Sequence, residues 1–165
     1  TFSTGSDISL GALTAGTVAY GSSAVNISTN GANGYIAWAS SANAALNSAG
    51  TSGTIATTGS IDNSTSTLSG GTYGYLLDVI LTTDGSGTGT ITQAANFGQE
   101  YDGGDTCSSS TTGGTLTTAL QPIAASNGTT DGDVLTLCPL VRIDGAQTAA
   151  SDYTDTLTVI AAGRF

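Results

Sequence analysis

The chain has 165 residues, with 12 acidic against 2 basic side chains, no histidine and no methionine, and a net charge of −10 at pH 7. Both basic residues are arginines, which excludes imidazole catalysis, imidazole metal ligation, lysine Schiff bases and lysine-dependent isopeptide crosslinks. Nothing here neutralises phosphates, so nucleic acid is not an expected partner, and no run approaches the roughly 20 apolar residues of a membrane-spanning helix.

The recurrent unit is a short alternating run bounded by turn residues. Strands are predicted at 5–10, 17–20, 23–29, 34–40, 53–57, 73–83, 88–93, 114–119, 133–143 and 153–161, and a single helical turn at 42–47. Asn-Gly at Asn30, Asn33 and Asn127, and Asp-Gly at Asp84, Asp102, Asp131 and Asp144, tolerate the positive φ angles of tight hairpin turns. Pro122 and Pro139 are the only prolines, so nearly every backbone donor is free for a ladder. In chain order, Phe2, Ile8 and Leu10 share one face of residues 1–10. Trp38 shares a face with Ile36 and is expected to anchor the core. Near the C-terminus, Tyr153, Leu157 and Val159 line one face, with Asp155 falling on that same apolar side.

These elements predict an all-β fold, an antiparallel β-sandwich of jelly-roll or immunoglobulin-like type, forming one domain over residues 11–165. The charged fraction of 8 % is far below the usual quarter, and the chain is rich in Ser, Thr, Gly and Asn, as suits an extracellular surface. Cys107 and Cys138 form an even pair and predict one disulfide in an oxidising compartment, stabilising the fold by about 3.5–4 kcal/mol on a chain-entropy account. The first residue is Thr1, with no charged and apolar leader behind it, which predicts a leader already removed or a start further upstream. The long apolar helix that opens a type IV pilin is absent from the sequence.

Residues 1–10 are open to two readings. They form either an ordinary first strand or a donor strand that completes a neighbouring subunit's sheet, with Phe2, Ile8 and Leu10 as its inserted side chains. Both need the same alternation.

The ending Ser151-Asp152-Tyr153-Thr154-Asp155-Thr156-Leu157-Thr158-Val159 resembles the G-x-Y-x-D-T-(L/V)-x-V close of spore-coat-protein-U-like domains, the archaic chaperone–usher pilins. The opening, Ile8-Ser9-Leu10-Gly11-Ala12-Leu13-Thr14-Ala15-Gly16, resembles the L-G-x-L-x-(P/A)-G start of secreted β-sandwich proteins, biofilm-fibre subunits among them. The resemblance implies an extracellular filament subunit that polymerises with copies of itself by strand donation. The early cysteine that archaic pilins often carry is missing here.

Other chemistry has candidates. Asp102 and Asp105, with Asp131 and Asp133, offer oxygen ligands for Ca²⁺, though their spacing departs from an EF-hand loop. Glu100 is the only glutamate, so a glycosidase pair would need an aspartate partner, and one tryptophan builds no sugar platform; no enzyme and no cofactor are expected. Sequons at Asn26, Asn63 and Asn127 are glycosylation candidates, with Asn26 required to face outward from its strand. The competing functional classes are an adhesive or carbohydrate-binding module and a calcium-dependent surface-layer or tube protein.

Overall fold

The computed structural model describes residues 1–3, 5–58, 68, 72–97, 106–108 and 113–165. Eleven strands and one 3-10 turn, Ala95–Phe97, are present, with no α-helix among the described residues. The strands are β1 (Val18–Tyr20), β2 (Ser23–Thr29), β3 (Tyr35–Ser41), β4 (Ala45–Asn47), β5 (Thr54–Ala56) and β6 (Gly74–Thr83). They continue with β7 (Ser86–Gly87), β8 (Ile91–Gln93), β9 (Gln121–Ser126), β10 (Thr130–Arg142) and β11 (Leu157–Gly163).

Two antiparallel sheets face each other. The first is organised by β10, which pairs with β2 and β1 along one edge and with β7 and β6 along the other. The second runs β11-β3-β9-β8. A small hairpin, β4-β5, is attached through the antiparallel bridge Asn47–Thr154. The expected sandwich is therefore the observed architecture.

Its core lies between the sheets. Val25 and Ile27 of β2, Leu77, Val79 and Leu81 of β6, and Leu135, Leu137 and Val141 of β10 meet Tyr35, Ala37 and Ala39 of β3 and Ile123 of β9. Strand β6 is buried from Gly74 to Leu81 because its second face is also covered, where Leu76 and Leu140 pack with Leu68 and Val18. A continuous apolar run such as Tyr75–Leu77 reads as a strand covered on both faces. Disulfide Cys107–Cys138, with Cα atoms 5.7 Å apart, ties residues 106–108 to that same second face of β10.

Both prolines sit where no ladder bond is lost. Pro139 lies opposite the junction at which β10 changes partner from β2 to β1, and its carbonyl accepts from Gly21 N–H at 3.3 Å. Since N–H and C=O of one strand residue point to the same edge, the missing donor faces the connector and not a strand. Pro122 lies beside a bulge in the β3–β9 ladder and beyond the end of β8.

Four expectations need correction. Residues 42–47 turn sharply, with Ala44 at φ 50°, and then enter β4, where Leu46 is buried opposite Ile55; burial overrides the helical propensity of the alanines. Residues 114–119 form no strand and reach β6 only through a bridge at Gly114, while β9 begins at Gln121, in a segment where Pro122 concealed it. Residues 5–10 form no regular strand. Trp38 and Ile36 belong to neither core cluster: β3 turns Tyr35, Ala37, Ala39 and Ser41 inward, so the expected anchor faces out. Both faces of β3 carry apolar residues, and the face with Tyr35, Ala37 and Ala39 is the one that packs against the large side chains of β6 and β10.

The disulfide is expected to be quantitative, so alkylation without reductant should modify no thiol. Reduction should lower stability by about 3.5–4 kcal/mol, or roughly 10 °C in Tm for a domain of this size, measurable by calorimetry with and without reductant.

Candidate functional site

The N-terminal segment lies along the outer edge of β2, antiparallel to it. Phe2 bridges to Ile27, flanked by Ser3 N–H to Asn26 O and Ser28 N–H to Thr1 O, both 3.0 Å. Beyond Phe2 the backbone ladder gives way to side-chain bonds. Ser3 Oγ accepts from Asn26 N–H at 2.8 Å, and Ser23 Oγ accepts from Ser6 N–H at 2.8 Å. Residue sums stay constant, 2 with 27 and 6 with 23, so the register holds although the strand is irregular. Ile8 ends the track over Gly21, where a Cβ would stand 2.5 Å from Ile8 Cγ2. Only glycine leaves the isoleucine room to sit there. Ile8, Leu10 and Leu13 are half-buried and pack on the core, whereas Phe2 is 40 % exposed. Of the three residues read as donor-strand side chains, Phe2 lies at the open end of this track, Ile8 at its other end, and Leu10 packs on the core beyond it.

An open groove of about 840 Å³ adjoins Phe2 where the two sheets part, with Ile27, Tyr35, Ala161 and Phe165 among its walls. Strand β11 forms its other bank, and β11 pairs only with β3. Its far edge carries no strand partner among the described residues.

Two buried tyrosine–aspartate contacts close the sandwich at the two ends of β3. Tyr35 faces Asp133 of β10, and Tyr75 of β6 faces Asp155, which precedes β11. Asp133 is fully buried; it accepts from Thr130 Oγ1 and from Gly85 N–H, the latter at 2.8 Å. Its other oxygen and the Tyr35 hydroxyl make no full hydrogen bond, yet the carboxylate acts on the phenol as a neighbouring charge. Asp155 accepts from Ser41 Oγ at 2.6 Å. Burial first, and the facing carboxylate second, push both phenols well above the ordinary tyrosine range. Asp152, exposed, is held below the usual carboxylate range by the Ser48 hydroxyl at 2.5 Å and Gly50 N–H at 2.8 Å, which pins the β4–β5 loop to the chain before β11.

Of the candidate calcium ligands, Asp131 and Asp133 face different surroundings. Asp131 is exposed and accepts from Ser28 Oγ at 3.0 Å, while Asp133 turns inward across the bulge in β10. Among the described residues no cluster of three acidic or cysteine side chains offers a metal site. Asp102, Asp105 and Glu100 lie outside the described residues. Of the sequons, Asn26 is exposed on β2 with its amide donating to Ser3 Oγ at 3.3 Å; Asn127 is exposed, its side chain accepting from Thr90 N–H at 2.8 Å. Asn63 lies outside the described residues. Sequence reasoning singled out Phe2, Ile8, Leu10, Asp155 and the cysteines, but missed the Tyr–Asp contacts, because nothing local links Tyr35 to Asp133 or Tyr75 to Asp155.

A raised phenol pKa stabilises the fold only while the unfolded tyrosine is also protonated. Above about pH 10 the unfolded state ionises and the folded one does not, so stability falls as pH rises. Each of Tyr35 and Tyr75 should contribute a loss of about 1.4 kcal/mol per pH unit there. Denaturant titrations between pH 8 and pH 12 should show this slope, and the double variant Tyr35→Phe/Tyr75→Phe should flatten it.

Among known proteins, no family model matches the chain, and no curated protein or solved structure matches it.

Proposed function

We propose that this protein is a structural subunit, without enzymatic activity, of an extracellular filament that grows head to tail by passing residues 1–10 of one copy to the next. One observation carries the reading. Among the described residues, the outer edge of β2 is covered not by a regular strand but by a terminal segment held through three main-chain bonds at Thr1 and Ser3, the Thr1 ammonium donating to Ser28 O at 2.6 Å among them, a few serine bonds and two half-buried apolar side chains. A cover of this kind is exchangeable. The same register, Phe2 against Ile27 and Ile8 over Gly21, serves equally when the segment comes from a neighbour, and such a head-to-tail contact does not close on itself. The strand it leaves bare is a sheet edge that must pair again. The paired cysteines suit an oxidising, extracellular setting, and no helix among the described residues is long and apolar enough to cross a membrane. The low charge and the lack of histidine and lysine leave little chemistry for catalysis.

Cysteines placed at Ser3 and Asn26, whose side chains touch, should distinguish the source of the segment. Oxidised filaments should run as a covalent ladder on non-reducing gels; crosslinked monomers alone would mean that the segment stays at home and would end the donation reading. Ile8→Asp or Leu10→Asp should abolish filaments, since each puts a charge into an apolar seat at a cost of several kcal/mol. Dissociation should require releasing a whole strand, so filaments are expected to survive chelator and molar salt. Loss of filament length by electron microscopy after chelator would favour calcium bridging instead.

A further inference from the structure

The first residue of β2 carries a polar group that the sandwich itself does not use. Ser23 shares the inward face of β2 with Val25 and Ile27 and is buried. Among the described residues, its hydroxyl makes both of its hydrogen bonds to Ser6 of the N-terminal segment. It accepts from Ser6 N–H at 2.8 Å and meets Ser6 Oγ at 3.2 Å. A hydroxyl at this depth needs a partner, and the segment supplies it.

Two close approaches frame that bond. A Cβ added at Gly5 would stand 2.9 Å from Ser23 Oγ, and one added at Gly21 would stand 2.5 Å from Ile8 Cγ2 and 2.7 Å from Ser9 O. Neither glycine has a positive φ, so what each place requires is the missing side chain and not an unusual backbone. Gly21 is itself tied to β10, its N–H donating to Pro139 O at 3.3 Å.

We infer that Gly21 and Ser23 form a reading site that selects which extended segment can lie along β2. It takes a segment with glycine at the place of Gly5, a backbone N–H at the next residue, and an apolar side chain two positions further on. Gly5-Ser6-Asp7-Ile8 meets all three conditions, with Asp7 exposed and free to vary. Each condition has its own cause. A side chain at position 5 forces the Ser23 hydroxyl to turn away from Ser6 and forfeits a bond at a buried site. Proline at position 6 removes the donor outright. At position 8 the isoleucine fills the space that Gly21 leaves empty and packs on the core. As a rule for which copies can pass the segment to one another, this rests on the donation reading. As a rule for what the β2 edge accepts, it holds equally when the segment stays on its own chain.

The full chain with cysteines at Ser3 and Asn26 reads seating directly. The crosslinked fraction is measured in a thiol–disulfide buffer and counted over monomer and ladder together, which gives the effective concentration of the two thiols. Gly5→Ala should lower it roughly 10-fold, and Ser6→Pro by about as much. Ser6→Ala keeps the N–H and should stay within about 3-fold of the parent. Both positions are exposed and outside every strand, so these variants leave the sandwich intact. The deciding step is a double-mutant cycle. Ser23→Ala removes the atom that a Cβ at position 5 would strike, so Gly5→Ala should cost nothing further in that background. Gly145→Ala, with open space around it, serves as control and should be without effect. Unchanged crosslinking in Gly5→Ala or Ser6→Pro overturns the inference, as does an equal loss from Gly5→Ala with Ser23 or with Ser23→Ala. A parent pair that never crosslinks overturns it together with strand donation. Crosslinks confined to monomers, with the variants falling as stated, uphold it while removing strand donation.

Discussion

Strand β10 is paired along both edges over most of its length, and that constraint organises the rest of the molecule. A 13-residue strand with partners on both edges and cover on both faces cannot shift register by one residue without exchanging its core side for its covered side. On one face it carries Leu135, Leu137 and Val141 into the sandwich; on the other it carries Cys138 and Leu140 beneath the attached segments. Pro139 is tolerated because it falls at the handover between β2 and β1. The disulfide, the second apolar cluster and the β2 edge that receives the N-terminal segment are all referred to this one strand.

Between the sheets, the buried polar groups are distributed with economy. Asp133 and Asp155 come from opposite sheets, and each faces a tyrosine from the other. A buried carboxylate is costly unless hydrogen bonds hold it, and here Thr130, the Gly85 N–H and Ser41 supply them. Because the two contacts sit at the two ends of β3, they fix the angle and offset of the sheets where alanine-lined packing alone would permit sliding. The interior thus combines small residues on β3 with a polar clamp at each end.

Coverage differs sharply around the sandwich edges. The outer edge of β6 is met by Gly114 and Thr58, and β2 is met by the N-terminal segment, but β11 has no strand beyond it among the described residues. Natural proteins commonly blunt such edges with charge or proline. Strand β11 has neither, only flanking Asp155 and Arg164. The two sheets thus differ at their edges among the described residues: one is covered by an irregular terminal segment, and the other ends on β11, which has neither strand partner nor charge.

The amino-acid sequence by itself determined the fold class, most of the strands, the Asn-Gly and Asp-Gly turns between them and the pairing of the cysteines. These follow from local alternation, from residues that accept positive φ, and from having only two thiols. It also marked Phe2, Ile8 and Leu10 as one face, of which Ile8 and Leu10 pack on the core. Only the tertiary structure decided which face of β3 is inside, since a period of two is unchanged when its faces are exchanged and Ile36-x-Trp38 alternates as well as Tyr35-x-Ala37-x-Ala39. The same holds for β9, whose proline is harmless only beside a bulge formed with β3, and for residues 42–47, where burial of Leu46 against Ile55 outweighs helical propensity. The Tyr35–Asp133 and Tyr75–Asp155 contacts were illegible for a related reason: 98 and 80 positions separate the partners, and no local pattern specifies a contact that exists only once two sheets have packed.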